Sequence, residues 1–482
     1  MSMSSALNNA LTGLTASARM AEVVSSNLSN ALTEGYGRRS VELSSAQVGG
    51  VGGGVRVQSI NRFVDAGILA DRRLADAALT GQDRSAAMLG RLEQALGGPD
   101  DAAGLGPRLA EFERALISAS SDPASEIRLA NVVSRLQDVT TTLQSNTRSI
   151  QSLRQEADAG ISRDIEVLNN SLLQVEALNT DILRISGSGY DPSALLDSRQ
   201  KIVDQIARIV PVRETVRQNG TIGLMTTNGT TLIDGRAVQF GFESTPTMTA
   251  DMTLGSGALG AITLDGSVLD PNNGIGRLDG GSLGAAFAMR DKTLVEAQAS
   301  LDTVAADLIA RFQDPTVDPT LSAGDVGLLT DEGGILDLGD LPGLAGRIAV
   351  NAAIVSDQGG DALLLRDGLN ATIVGPAGNP AQLNRWIAAL DAPRADVPGA
   401  AMRSASGRIA AFTSEIGATR LAADEKLSFT SARWDTLHEA ELAGGVDTDV
   451  ELQRLLQIEQ AYAANAKVIQ TVDFMMQRLM EI

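Results

Sequence analysis

The chain has 482 residues, enough for two or three domains, and 43% of them are hydrophobic, enough to bury real cores. It carries 39 basic against 59 acidic residues, and a formal charge of −20 repels phosphate backbones and anionic surfaces. Cysteine is absent and histidine occurs once, at His438, which excludes disulfides, thiolate zinc sites and histidine-rich metal sites. We therefore expect no nucleic-acid partner, no membrane association and no metal or cofactor, and we expect His438 to lie on a helix surface.

The first 32 residues predict a helix with one narrow apolar face. Polar residues interrupt its start and no basic region leads it, so we do not expect a signal peptide. No stretch approaches the ~20 apolar residues of a membrane-spanning helix. Apolar and small residues recur at alternating spacings of four and three, which is typical of a coiled-coil seam. This seam comprises Leu7, Leu11, Leu14, Ala18, Ala21, Ser25, Leu28 and Leu32.

Residues 35–62 are rich in glycine and break the helical pattern. One pair of apolar residues on each side of the glycine run predicts short extended pieces. A glycine-rich loop can bind phosphate, but no Gly-Lys-Ser/Thr follows this one, so we do not expect a phosphate site. The extended pieces are centred on Val41, Leu43, Val55 and Val57.

Helical patterns resume at about residue 63 and dominate up to Pro211. The stretch between Pro123 and Pro192 has no proline, and its apolar stripe continues past Gly160. Unbroken, some 60 residues would extend ~90 Å. A break near Gly160 is an equally good interpretation, and both predict an elongated helical bundle. A further helix is predicted over Leu195–Val210.

The apolar period shifts towards two between residues 212 and 281. Asn219-Gly220, Asn228-Gly229 and Asp234-Gly235 are hairpin turn signals, so we predict a small inserted β domain. Helix returns over Leu283–Phe312, and a last helical block begins at about residue 402. The intervening residues 313–400 are mixed, with strands predicted near Ile348–Val355 and Ala371–Val374.

A final helix is predicted from Thr448, which with Glu451 fits a capping box. It carries a second seam, and the simplest partner for it is the seam of the first helix, because the chain runs out through helices and returns through helices. Periodicity alone is equally consistent with each helix packing on an ordinary core, or with tails that become ordered only in a polymer. The second seam comprises Leu455, Ile458, Tyr462, Asn465, Ile469, Val472, Met476 and Leu479.

The predicted fold class is mainly α, with paired N- and C-terminal coiled-coil helices, an elongated helical-bundle domain and small inserted β-rich domains. We expect four parts. They are a terminal coiled-coil domain (1–34 with 447–482), a helical-bundle domain (35–210 with 283–313 and 402–446), an inserted β domain (211–282) and a mixed outer region (314–401).

Residues 26–36 resemble the N-terminal signature of the flagellar rod, hook and hook-associated proteins. That signature is a helix ending in Asn-Asn-(Ile/Leu)-(Ala/Ser)-Asn, followed by Asn-Thr-x-Gly-Tyr. The chain departs from it at Ser26 and Leu32, where the family usually has asparagine, which puts polar contacts at those two positions in doubt. Near the other end, Gln460–Ile469 is similar to the family's closing segment. The matching N-terminal positions are Asn27, Leu28, Ser29, Asn30, Thr33, Gly35 and Tyr36.

Interior segments resemble, less specifically, the hook-associated proteins of the hook–filament junction. They are Gly53–Val57, Ile60–Ala66, Leu92–Gly97, Leu195–Gln200 and Gly281–Ala285.

The resemblance implies a structural axial protein without enzymatic activity, exported unfolded by the flagellar type III apparatus and placed outside the cell at the junction of hook and filament. The implied partners are further copies of the chain in a ring or helical array, the hook protein, a second junction protein and an export chaperone. The residues expected at the assembly interface are Leu7, Leu11, Leu14, Asn27, Leu28, Asn30, Thr33, Gly35, Tyr36, Leu455, Ile458, Tyr462, Asn465, Ile469, Val472, Met476 and Leu479.

Three alternatives remain at this stage. One is a sibling axial protein: a hook subunit, a rod subunit or a hook cap. A second is an extracellular enzyme, against which the sequence cannot form His-Glu-x-x-His with one histidine. The third is a cytosolic coiled-coil adaptor.

Overall fold

A computed structural model describes residues 3–48, 51–98, 101–395 and 401–480 of the chain. The fold is mainly α with small antiparallel sheets, and the predicted fold class is confirmed. Within these ranges no helix has the length and apolar character needed to cross a membrane. The α-helices there are α1 (Met3–Ser29), α2 (Ala66–Leu96), α3 (Leu105–Ser121), α4 (Glu126–Gly187), α5 (Ser193–Ile209), α6 (Gly281–Ala288), α7 (Leu294–Phe312), α8 (Leu344–Arg347), α9 (Leu364–Asp367), α10 (Ala381–Asp391), α11 (Ala405–Ala443) and α12 (Thr448–Met480).

The strands form four sheets in the described part of the chain, and each pairing in them is antiparallel. β1 and β2 make a long hairpin, β3 to β6 a four-stranded sheet, β7 to β9 a three-stranded sheet, and β10 pairs with β11. The strands are β1 (Arg38–Val48), β2 (Val51–Phe63), β3 (Val212–Val216), β4 (Ile222–Thr226), β5 (Thr231–Asp234), β6 (Arg236–Ala237), β7 (Phe240–Gly241), β8 (Thr263–Leu264), β9 (Ser267–Val268), β10 (Leu329–Asp331) and β11 (Ile348–Val350).

Helix α4 is the longest helix in the described ranges and runs for 62 residues without a break at Gly160. Its start is capped by Ser125, whose hydroxyl accepts a hydrogen bond from the Arg128 amide. Two hydrophobic clusters of the described residues meet along it: one holds its buried apolar residues up to Ala157, and the other holds those from Ile161 onward. The glycine is tolerated because tertiary packing on both sides outweighs its poor helix propensity, ~1 kcal/mol against alanine.

The first cluster joins the N-terminal half of α4 to α2, α3, α7, α10 and the start of α11. Phe312 lies at its centre, with its ring edge-on to Phe112 at 6.2 Å and to Trp386 at 5.8 Å. The second cluster joins the C-terminal half of α4 to α5, α6 and the inserted sheets. The predicted hairpin turns are present, since Gly220, Gly229 and Gly235 all have positive φ. The division of the chain into four parts stays a prediction.

The region after α7 is less regular than predicted. The strand predicted near Ile348–Val355 ends at Val350 and gives way to two 3₁₀ turns. The strand predicted over Ala371–Val374 is wrong, because this segment pairs with no strand in the described ranges. Ile373 and Val374 are exposed there. β-branched residues favour strands only when a neighbouring strand and a packed face are present.

Helices α2 and α11 form a two-helix stem that carries the terminal helices. Arg72 near the start of α2 donates to Glu441 near the end of α11 (2.7 Å), and Arg420 of α11 pairs with Glu93 near the end of α2, so the two helices are antiparallel. Burial alone would lower the pKa of Arg72, but the carboxylates of Asp204 and Glu441 outweigh it, so the pKa is raised. His438 lies on α11, half-buried as expected of a helix-surface residue.

Candidate assembly interface

The terminal helices α1 and α12 pack against each other, as the paired-ends prediction required. They are antiparallel, because Gly13 lies against Asn465, while Val24, later in α1, shares a cleft with Ile458, earlier in α12. The approach at Gly13 is close: a Cβ there would lie 2.7 Å from the Asn465 Nδ2 atom. α1 also packs on the β1–β2 hairpin.

The seam predicted for α1 differs from the face that the single chain buries. Leu11, Ala18 and Ser25 are exposed, and the helix ends at Ser29, before Leu32, which is fully exposed. Leu7, Leu14, Ala21 and Leu28 are half-buried. Small residues dominate the covered face because the helices approach closely there, and the leucines remain partly uncovered. The buried residues of α1 are Ala10, Ala16, Ser17, Val23, Val24 and Asn27.

The seam predicted for α12 agrees better with the face turned to α1. Ile458 and Val472 are buried, and Leu455, Asn465 and Ile469 are half-buried. The remaining three predicted seam residues are exposed in the single chain, and their assembly role stays a prediction. They are Tyr462, Met476 and Leu479.

The predicted capping box at the start of α12 is wrong. The cap is Asp447, whose Oδ1 accepts hydrogen bonds from the amides of Asp449 (2.9 Å) and Val450 (3.0 Å). Glu451 does not reach back to the cap, because its buried carboxylate accepts from Arg38 Nε at 2.8 Å. This ion pair fixes the start of α12 to the start of strand β1.

The signature residue Asn27, in the last turn of α1, holds the chain segment that follows the helix. It is fully buried and makes three hydrogen bonds to the returning chain. Its Nδ2 donates to the Arg39 carbonyl (2.8 Å), and its Oδ1 accepts from the Arg39 amide (2.9 Å) and the Tyr36 hydroxyl (2.9 Å). An asparagine amide fits here because one side chain supplies both the acceptor for the Arg39 N–H and the donor for the Arg39 C=O.

The other signature residues complete this turn. Asn30, half-buried, donates to the Ser26 carbonyl (2.9 Å) and accepts from the exposed Thr33 (3.3 Å). Tyr36 also lies 3.2 Å from the Ser26 hydroxyl, so the departure at Ser26 keeps a polar contact. Gly35 has φ +76°, a conformation that residues with a Cβ rarely adopt.

Asp197 of α5 joins the turn to the body of the protein. Its carboxylate accepts from the Gly37 amide (3.0 Å), from Arg39 Nη2 (2.6 Å) and from Arg62 Nε (2.7 Å). Arg62 extends further to Gln200 Oε1 at 2.5 Å. Two segments that resemble flagellar proteins separately, Ile60–Ala66 and Leu195–Gln200, therefore meet in one charged cluster, directly after the N-terminal signature in space.

The end of the glycine run, Gly53 and Gly54, lies against α1, while Gly49 and Gly50 lie outside the described residues. Gly54 has φ +94°, and a Cβ there would lie 2.1 Å from the Thr12 hydroxyl oxygen. Thr12 accepts from the Val55 amide (3.3 Å), and Asn8 donates to the Gly53 carbonyl (3.3 Å). Close approach of backbone to helix leaves no room for side chains at this point.

Sequence patterns did not predict the contacts of four residues that hold this region together: Arg38, Arg62, Asp197 and Glu451. Arg62 and Asp197 lie in Ile60–Ala66 and Leu195–Gln200, and the resemblance of these two segments to hook-associated proteins was the only hint of their importance. Arg38 and Glu451 pair across 413 positions, which no local pattern reports. Within the described residues no group of His, Cys, Asp or Glu is placed to hold a metal ion. The region offers a rigid turn and two partly uncovered helices, which suits assembly with other chains.

Two family models match the chain in different places. The flagellar hook-associated protein FlgK helical domain matches residues 89–316, which include α3, α4, α5 and the inserted sheets. The flagellar basal body rod FlgEFG protein C-terminal matches residues 443–482, which include α12.

Curated relatives carry one name, flagellar hook-associated protein 1. The relative from Salmonella typhimurium is 28% identical over 243 residues, covering 48% of this chain and 43% of the relative. The match thus spans less than half the length of that protein. The relative from Bacillus subtilis is 21% identical and covers 98% of this chain and 97% of its own length.

A solved structure, that of the flagellar hook junction protein FlgK from Burkholderia pseudomallei, aligns with 54% of this chain and 46% of its own, at 20% identity and a TM-score of 0.45. The likeness depends on the sequence matches, one through the helical interior and one at the C-terminal helix. The chain is similar to the FlgK hook-associated proteins through its helical interior and to flagellar rod proteins at its C-terminal helix.

Proposed function

We propose that the chain is a structural component of the bacterial flagellum that joins hook to filament and assembles through α1 and α12. Its partners are then further copies of itself, the hook protein and a second junction protein. An export chaperone and the flagellar type III apparatus carry it out of the cell. In this role it performs no catalysis.

The observation that carries the proposal is the uncovered surface of α12. Of the 33 residues in this helix, three are buried: Glu451, Ile458 and Val472. Large apolar side chains lie exposed from its first turn to its last, including Leu456 and Phe474. Full burial of each such side chain stabilises by ~1.5–3 kcal/mol, so neighbouring subunits would contribute most of what keeps the helix ordered. An exposed apolar surface of this extent is typical of an interaction site.

A sibling axial role is the second candidate, because the C-terminal match is to rod proteins. The interior match to the FlgK helical domain, and the 62-residue α4 that runs through it, favour the junction role.

The test removes residues 450–482 in a flagellated strain whose own copy is replaced by this chain. We expect hooks without filaments and flagellin released into the medium. Normal filaments on the hooks would contradict the junction role. Normal hooks must be present, since their loss would instead favour a hook or rod role.

A point variant separates failed assembly from failed export or folding. Leu456→Asp changes a side chain of α12 that is 59% exposed in the single chain. Gln453→Asp, exposed on the same helix, is the matched control. We expect both variants in the medium or on hooks in equal amounts, with filaments lost for Leu456→Asp alone. Equal filament numbers would contradict the use of this surface.

A further inference from the structure

A cleft of about 480 Å³ lies where the terminal helices meet the α2–α11 stem. We call it the elbow cleft and define it by Leu32, Phe63, Trp434, His438 and Leu442, which line it. Leu32 is 100% exposed, Leu442 58% and Phe63 51%, so the rim is apolar and uncovered.

The wall of the elbow cleft is an ordered aromatic pair. The rings of Trp434 and His438 stack at 4.6 Å with 14° between their planes. Trp434 Nε1 donates to Asp76 Oδ1 at 2.7 Å, which fixes the indole in place. A preformed aromatic wall binds an apolar side chain with little ordering cost.

The last two turns of α12 present the complementary surface. This segment, the α12 tip, is defined by Phe474, Met475, Met476, Leu479 and Met480, all exposed. Three of the five are methionines, whose unbranched side chains adapt to irregular pockets.

The charges of the two surfaces are also complementary. The α12 tip carries Arg478, whose guanidinium lies over the Phe474 ring at 5.4 Å. The elbow cleft is lined by the carboxylates of Glu34, Asp65 and Glu441 and by the guanidiniums of Arg72 and Arg208. Arg72 also contacts the carboxylate of Asp204, and Arg208 that of Asp76. Acidic groups therefore outnumber basic ones around the cleft.

The α12 tip cannot fill the elbow cleft of its own chain. α12 is a continuous helix that begins beside the cleft, and Phe474 lies about 39 Å along it from Thr448 at 1.5 Å per residue. The occupant must therefore come from another molecule. Contact between two different surfaces of the same chain is heterologous, and such contacts build rings and helical arrays rather than closed dimers.

We propose that the elbow cleft of one copy receives the α12 tip of a second copy. This inference rests on the proposed self-assembly of the chain and names the contact that propagates it. Apolar side chains of the tip pack against Leu32 and Trp434, while Arg478 meets the rim carboxylates. Because the tip lies about 40 Å along α12 from the cleft of its own chain, the two copies are displaced by about that distance along the helix.

Disulfide trapping tests this contact, since the chain has no cysteine of its own. Leu32→Cys marks the elbow cleft and Met476→Cys marks the α12 tip. Both variants are produced together in a flagellated strain that lacks its own copy, and isolated hooks with filaments are treated with a mild oxidant. We expect a reducible band at twice the 50.1 kDa chain mass when both variants are present, and none with either alone. A disulfide forms only with Cα atoms within ~7 Å, so the band reports direct contact.

Controls place each cysteine outside the contact. Asp435→Cys, exposed on α11, replaces Leu32→Cys, and Gln460→Cys, exposed on α12, replaces Met476→Cys, and neither substitution should give the band. Leu479→Cys is a second tip variant in case Met476→Cys assembles poorly. Each variant must support filaments alone, which tests the proposed function independently.

Filaments that form normally without the mixed band would overturn this inference and leave the junction role standing. A band linking tip to tip, or linking either site to a different axial protein, would overturn it in the same way. Failure of every chain, including the unsubstituted one, to assemble on hooks would overturn both.

Discussion

The turn after α1 depends on one buried amide, so replacing Asn27 by alanine should open it. The substitution removes three hydrogen bonds and leaves the Arg39 amide and carbonyl without their partner. Each unsatisfied buried group costs ~1–3 kcal/mol, and the better helix propensity of alanine offsets roughly 0.5 kcal/mol. Because Arg39 is half-buried, we expect a net loss of about 3 kcal/mol in the local stability of the turn.

Hydrogen exchange at the Arg39 amide measures this loss directly. A change of ~3 kcal/mol corresponds to roughly a hundred-fold increase in the exchange rate. Asn30→Ala is the matched control, since Asn30 is half-buried and bonds mainly within its own turn, and it should change the rate less than about five-fold. Equal effects of Asn27→Ala and Asn30→Ala would refute the role given to Asn27.

Three further outcomes are expected. In dilute monomer, amides of α1 and α12 exchange faster than those of α4, as hydrogen-exchange mass spectrometry can show. Arg290→Met, which leaves the buried Asp158 without its ion-pair partner, lowers the free energy of unfolding in urea by ~3–5 kcal/mol, against ~1 kcal/mol or less for Arg91→Ala at an exposed pair. Hydrogen bonds from the backbone and side chain of Thr316 lower the pKa of Asp314 below its ordinary value of 3.8. This carboxylate thus stabilises the fold above pH 3.8, and the difference in urea stability between Asp314→Ala and the unsubstituted chain shrinks as the pH falls through the lowered pKa.

Each of these outcomes has a clear contrary result. Full protection of α1 and α12 in the monomer would contradict the coupling of their order to assembly. Equal losses for Arg290→Met and Arg91→Ala would show that burial does not set the cost of breaking an ion pair here. A stability difference for Asp314→Ala that stays constant down to low pH would contradict its role as an ionised hydrogen-bond acceptor.

Local patterns predicted the helices well, because a helix places apolar residues three or four positions apart, which is visible within one short segment. They also predicted the inserted hairpins, since Asn-Gly and Asp-Gly report positive φ directly. The predicted N-terminal seam differs from the buried face because the largest apolar residues are not those covered in a single chain. Gly13 and its small neighbours allow the close approach of α12, and Leu11 is left exposed.

Long-range polar contacts could not be predicted from spacing. Asp197 contacts Arg39 and Arg62 across 158 and 135 positions, and a local pattern does not report which charges meet. The start of α12 shows the same limit at short range. Thr448 and Glu451 have the spacing of a capping box, but Glu451 is already engaged by Arg38 from a distant strand, and Asp447 takes over the cap.

The position of the chain on the flagellum tests the central claim most directly. Isolated hooks with filaments are labelled with a gold-conjugated antibody against this chain and imaged by electron microscopy. A junction protein that assembles through its terminal helices should give one narrow band of label at the boundary between hook and filament. Label distributed along the hook, the rod or the filament, or its absence from flagella whose cells contain the protein, would contradict the account.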